Sequence, residues 1–312
     1  MANEPLKSEI ETGTNYTAPV DQLLAIGRPS LSNPDKWIDY PAEFGLTTAD
    51  ELELIRLATD EDLFWNGYEP EVYAPIHAMR ALGKLQAEAA IAPLINIINW
   101  AEDSDWHIEE IPKTLGTIGP ACLPVLAGCV SRFPDQPWLY AAIVSDSLSW
   151  IGQLHPEARE ACVQHLMDGL SQYPRQLPDV NGSLVAALLD LNAVEAAELI
   201  GKAYTEGPME EDICGTWPAV QVDLGIAKAE DFSPEELRLP PRSGPLGLGS
   251  PFPGGALATA SGIRLDGKLR SSARSDAKFG QVDLSFKASK PKPKKSGFGN
   301  AAKPAKKKKK RK

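Results

Sequence analysis

Four cysteines and four histidines are the residues of this chain best suited to ligate a metal or to act as nucleophile and base. Their spacing supports neither role. Cys122, Cys129, Cys162 and Cys214 form no CxxC or other short ligand pair, and Cys122 and Cys129 lie seven apart on one predicted helix. They read as ordinary buried thiols. Among His77, His107, His155 and His165, none belongs to an HExxH and none is followed directly by glutamate. His165 falls on or near the core side of a predicted helix with Ala158, Cys162 and Gly169, with no second histidine or carboxylate facing it at helical spacing. The chain contains no GxSxG, no GxxxxGK[ST] and no GxGxxG after a predicted strand. The expectation is therefore no catalytic residue, no cofactor and no metal.

Charge is the stronger chemical signal. Residues 1–241 carry 13 Lys+Arg against 39 Asp+Glu, whereas residues 242–312 carry 19 against 3, so the overall charge of −10 conceals two oppositely charged parts. The positive end has Lys290, Lys292, Lys294 and Lys295, then an unbroken run of Lys306, Lys307, Lys308, Lys309, Lys310, Arg311 and Lys312. Such a run seeks polyanions through phosphate contacts and counterion release. Phe298 alone interleaves an aromatic among them, so base stacking has little support. The same lysines are equally able to solubilise the chain, or to fold back loosely on its acidic part. A second feature is the segment Trp100, Glu102, Asp103, Asp105, Trp106, an acidic loop edged by tryptophans. It suits a basic partner, and it equally suits two rings packed between helices with solvated carboxylates between them.

Helices must position all of this. In residues 73–94, Pro75 opens a helix and Ile76, Met79, Leu82 and Leu85 form one apolar stripe. Gly83 interrupts the stripe at a cost of roughly 1 kcal/mol against alanine, which implies a close helix-to-helix approach. Ile91, Leu94, Ile95 and Ile98 then make one face of a second helix. This helical hairpin recurs: Leu82-Gly83 aligns with Leu115-Gly116, and residues 115–119 (LGTIG) align with 148–152 (LSWIG), each step being 33 residues. A fourth copy begins at Leu188. Hairpins repeating at this period predict a solenoid in which each unit covers its neighbour's apolar face.

Around the repeats, residues 1–17 are polar and expected to be disordered, and residues 18–26 form a short helix. Residues 32–44, with Trp37 and Tyr40, read as a loop packed by its aromatics. Thr48 and Glu51 make a capping box for a helix carrying Leu52, Ile55 and Ala58, with Trp65 and Tyr68 in the loop beyond it. Residues 208–225 close the far end of the stack. Residues 240–255 (PPRSGPLGLGSPFPGG) are a run of helix and strand breakers, so 226–312 reads as a disordered linker and Lys-rich tail. The folded unit is 18–225. No apolar run reaches the roughly 18–20 residues of a membrane helix, and MANEPLKSEI has no hydrophobic signal core, so a soluble cytoplasmic protein is expected.

The repeats resemble the short, PBS-lyase-like HEAT repeats, on residues 80–85 (RALGKL) and 87–94 (AEAAIAPL). From residue 73 to about 225 the chain is also similar to a family of uncharacterised bacterial HEAT-repeat proteins, on PEVYAPIHAMRALG, IGPACLPVLA, HPEAREACV, LLDLNAVEAAELI and DVNGSL. The resemblance implies an all-α fold: a right-handed α-solenoid of about four HEAT-like hairpins with N-terminal capping helices and a disordered basic C-terminal tail. It implies a non-catalytic protein–protein interaction scaffold or assembly factor. The alternatives are an RNA- or ribosome-associated protein acting through its tail, and a phycobilin lyase-like or chaperone-like factor. Deoxyhypusine hydroxylase shares the architecture but holds iron through His-Glu steps, and this chain has no His-Glu dipeptide. Some relatives end in a cysteine-rich SEC-C motif, which is absent here because no cysteine follows Cys214.

Overall fold

The computed structural model describes residues 16–100 and 104–237, apart from the side chain of Asp105. Among them are thirteen α-helices and no strand. In chain order these are α1 Tyr40–Phe44, α2 Glu51–Ala58, α3 Glu61–Asn66, α4 Ala74–Lys84, α5 Ile91–Ile97, α6 Asp105–Ile118 and α7 Leu123–Val130. There follow α8 Trp138–Leu154, α9 Arg159–Leu170, α10 Pro178–Asp190, α11 Ala197–Glu206, α12 Glu211–Cys214 and α13 Trp217–Asp223.

The helices pack in two rows. In the front row each helix touches the next, in the order α2, α4, α6, α8, α10, α12; behind it α7 packs on α9 and α9 on α11. Four hairpins, α4/α5, α6/α7, α8/α9 and α10/α11, therefore repeat along the described chain. Both helices of each hairpin feed one apolar core: Leu82 and Leu94, Leu115 and Leu126, Leu148 and Leu166, and Leu188 and Ile200 are all fully buried in it. Each unit supplies one apolar stripe from each helix, so its core is completed by the unit beside it.

A common local pattern turns each hairpin. A one-turn 3-10 helix precedes every second helix, at Glu88–Ala90, Pro120–Cys122, Pro156–Ala158 and Val194–Ala196. Gln86 (φ 53°) and Asn192 (φ 49°) end α4 and α10 in the left-handed region, which releases the chain from the helix so that it reverses within a few residues. The glycine of the repeat has the role its position suggests. A Cβ on Gly83 would stand 3.3 Å from Cβ of Thr117 on α6, and one on Gly116 would overlap Cβ of Trp150 on α8. The missing side chain is what lets neighbouring front-row helices approach.

Several local expectations shift. The first cap sits one residue earlier than Thr48, because a 3-10 turn, Thr48–Asp50, leads into α2. Thr47 Oγ1 accepts from Ala49 N–H and Asp50 accepts from Thr47 N–H, so the capping box is Thr47/Asp50 rather than Thr48/Glu51. Asp60 caps α3 through Leu63 N–H at 2.8 Å, which places Trp65 in a helix instead of a loop. Residues 32–44 contain a 3-10 turn, Pro34–Lys36, as well as α1, and Trp37 and Tyr40 are buried. Beyond α13 the described chain continues to residue 237, where Thr216 Oγ1 donates to Glu236 O. Among the described residues no single helix is long and apolar enough to cross a membrane.

Candidate functional site

Helical spacing aims one face of α6, α8 and α10 away from the back row. On α6 it carries Glu109, Lys113 and Thr117; on α8, Asp146, Ser149 and Gln153; on α10, Asp179, Ala186 and Asp190. Contacts fix this orientation: Ser149 Oγ donates to Asp190 on α10 at 3.3 Å, while Trp150, on the other flank of α8, lies against Gly116 of α6. Asp146 projects between these two flanks.

Next to this open face, over α4, the corresponding surface is covered by the chain's own N-terminal segment. His77 Nε2 meets Gly27 O at 2.7 Å, Arg80 Nη2 donates to Ser30 O at 2.8 Å and Lys84 Nζ donates to Pro34 O at 2.8 Å. All three pairs are separated by 50 residues, so residues 27–34 run parallel to α4 in constant register. Because a carbonyl only accepts, His77 carries its proton on Nε2, leaving Nδ1 to accept from Tyr40 Oη at 2.7 Å. Burial brings the His77 pKa down to about 4, so the neutral ring is the resting form. Trp37 completes the strap, its ring 5.2 Å from the Arg80 guanidinium and its Nε1–H donating to Ser32 O.

On the open face the charges are unbalanced. Lys113 is held by Glu109 at 2.9 Å, and neither α8 nor α10 contains a Lys, Arg or His. The Asp146 carboxyl makes no hydrogen bond or ion pair with the described residues. Both Asp146 and Asp190 keep some surface at the opening, but the protein around them excludes much of the water. Burial, then the charges of Asp190 and Glu109, push the Asp146 carboxyl up to about 8, with Lys113 opposing. Burial likewise raises Asp190 to about 7, against the Ser149 hydrogen bond. The face thus presents two carboxyls that burial raises toward neutral pH.

The tryptophan-edged segment is built differently. Ser104 caps α6, accepting from His107 N–H, and its Oγ lies 2.7 Å from His107 Nδ1. The His107 ring is fully buried between Phe64 and Trp100, at centroid distances of 4.2 and 5.0 Å, with Nε2 unpartnered. Burial takes its pKa down to about 3. Trp106 packs edge-on to Tyr73, and the Arg28 guanidinium lies 5.8 Å from its ring. Both tryptophans therefore face neighbouring side chains and are half-buried. Glu102 and Asp103 lie outside the described residues, as does the side chain of Asp105.

All four cysteines are buried. Burial pushes Cys122 up to about 12, with Glu88 adding to it; burial likewise takes Cys162 to about 11 and Cys214 to about 12, so these are thiols and not thiolates at neutral pH. His165 is half-buried on α9. Among the described residues no three of His, Cys, Asp and Glu are grouped as metal ligands. Lys290, Lys292, Lys294, Lys295 and residues 306–312 lie outside the described residues.

Comparison with family models, curated proteins and solved structures gives no match.

Sequence reasoning missed the strap and the Asp146/Asp190 pair. The second carried a readable signal: two successive inner helices with three aspartates and no basic residue.

Proposed function

We propose that this chain is a non-catalytic protein–protein interaction scaffold, built as a HEAT-like α-solenoid, whose partner lies along the open face of α6, α8 and α10. The observation that carries the reading is the strap. One stretch of the front row already holds a non-helical stretch of polypeptide by side-chain bonds to its carbonyls, at Gly27, Ser30 and Pro34. Those bonds recognise backbone and not side chains, which is how a helical face accepts a polypeptide strand without demanding one sequence. Adjacent helices of the same row carry Gln153, exposed, and Asp190, half-buried, on a face that the described chain leaves open, with Ser149 buried beneath them.

The test is site-directed photo-crosslinking of the full-length chain in its own cells. A photoreactive residue at Gln153 or Ala186, on the open face, should capture one defined partner. The same residue at Glu160 or Gln164, exposed on the back-row helix α9, should not. Equal capture from both rows, or none from the front, would overturn the reading.

A further inference from the structure

We infer that Asp146 and Asp190 form a receptor for a basic side chain carried by a polypeptide segment of the partner. This rests on the scaffold reading and names the chemistry of what binds.

Three independent observations lead to it. Among the described residues the Asp146 carboxyl is unpartnered although it stands between two helices, and the described charged groups acting on it can be named. From α6 come Glu109 and Lys113, already joined to each other; from α10 comes Asp190; α8 contributes none beyond Asp146 itself. On the back row, the nearest cation in sequence order, Arg159, is committed to Leu191 O, Asn192 O and Glu195. No intramolecular cation is therefore available on this face among the described residues. Ser149 supplies the second feature: its hydroxyl, itself receiving a bond from Gln153, points at Asp190 and fixes one carboxylate in place. The strap supplies the third, since beside this face the row lodges a polypeptide along its axis.

A carboxyl kept protonated by its surroundings becomes the better acceptor when an ammonium or guanidinium arrives. The incoming cation stabilises the carboxylate, and the displaced proton leaves to solvent. Binding is thus coupled to proton release. An electrostatic encounter at an exposed surface carboxylate, already ionised at neutral pH, releases none.

The experiment is calorimetric titration of the full-length protein with acetyl-(Gly-Lys)5-amide at low salt and pH 7, in two buffers of different ionisation enthalpy. The expected result is saturable binding with release of about one proton per peptide. Release should vanish at about pH 9.5, where both carboxyls are already ionised. Asp146→Asn should clearly reduce proton release, leaving the part that Asp190 supplies, and the double replacement with Asp190→Asn should abolish it and weaken binding by about tenfold or more. The same peptide with acetylated lysines should not bind. Binding without proton release at pH 7, or release unchanged in Asp146→Asn, overturns the receptor. Spermidine binding as tightly and with the same release assigns the site to a small polyamine and overturns the peptide. If crosslinking from Gln153 and Ala186 persists while these titrations fail, the scaffold stands and the basic-residue receptor falls; if both fail, neither stands.

Discussion

Arg80 on α4 and Glu110 on α6 form a two-bond ion pair, Nε to Oε2 at 2.8 Å and Nη2 to Oε1 at 2.6 Å, with both side chains at most 3% exposed. The same guanidinium holds the strap at Ser30. One residue thus joins two front-row helices and the segment laid over them. Removing one member of a buried pair leaves an uncompensated charge. Glu110→Gln or Arg80→Met alone should lower the unfolding free energy by about 3–5 kcal/mol, read from urea denaturation. The double replacement Arg80→Met with Glu110→Leu should recover most of that loss. A single-variant loss below about 1 kcal/mol would mean that water reaches the pair.

Two glycines in successive helices should respond oppositely to alanine. At Gly116 the new Cβ meets Trp150, part of it backbone, so α6 and α8 must separate; the expected cost is about 1–3 kcal/mol. Gly128 on α7 is exposed and has nothing within 4 Å of the new Cβ. Gly128→Ala should be neutral or stabilise by up to about 1 kcal/mol. Thermal melts of the two variants side by side decide it, and equal effects would count against the close approach of α6 and α8.

Stability should fall as pH rises from about 6.5 to 8.5. Asp146 at about 8 and Asp190 at about 7 are raised above the ordinary carboxylate range, so the folded chain keeps protons that the unfolded chain has lost. Their contribution is full below about pH 4 and disappears as pH passes through 7 and 8. His77 at about 4 and His107 at about 3 are depressed, so their contribution is full above about 6.5 and is lost on acidification. Between about pH 4 and 6.5 two carboxyls and two imidazoles oppose each other and the curve should be nearly flat. The urea midpoint of Asp146→Asn should lose most of the alkaline decline. A wild-type midpoint that rises between pH 6.5 and 8.5 would contradict the assignment.

The hairpins were readable because their signal is local. Leu82-Gly83 and Leu115-Gly116 repeat a core residue followed by a notch, and both members meet the demands of the next helix in the row. The strap was not readable, because what His77, Arg80 and Lys84 grasp is carbonyl oxygen, which every residue carries. Trp37 and Tyr40 marked where packing would occur without saying against what. Asp146 looked like one solvated carboxylate among many, since its partial burial depends on two helices about forty residues apart in the chain. His107 was one of four scattered histidines until folding placed Phe64 and Trp100 on either side of it.

The constant separation of 50 between strap and helix has a consequence for chain length. Two rulers are laid side by side, and only the marks must coincide: 27, 30 and 34 on one, 77, 80 and 84 on the other. Extra residues between the rulers, for example at the exposed turn near Tyr68, lengthen a connection without moving any mark. One extra residue between Ser30 and Pro34 slides the last mark by about 3.3 Å, enough to strand the Lys84 ammonium from its carbonyl while Gly27 and Ser30 stay in place. A glycine inserted at the first position should be tolerated within about 0.5 kcal/mol, and one inserted at the second should open the strap's end to protease while α6 to α10 stay protected. The strap is thus tolerant of how long the chain takes to return to α4, and intolerant of any slip once it lies alongside it.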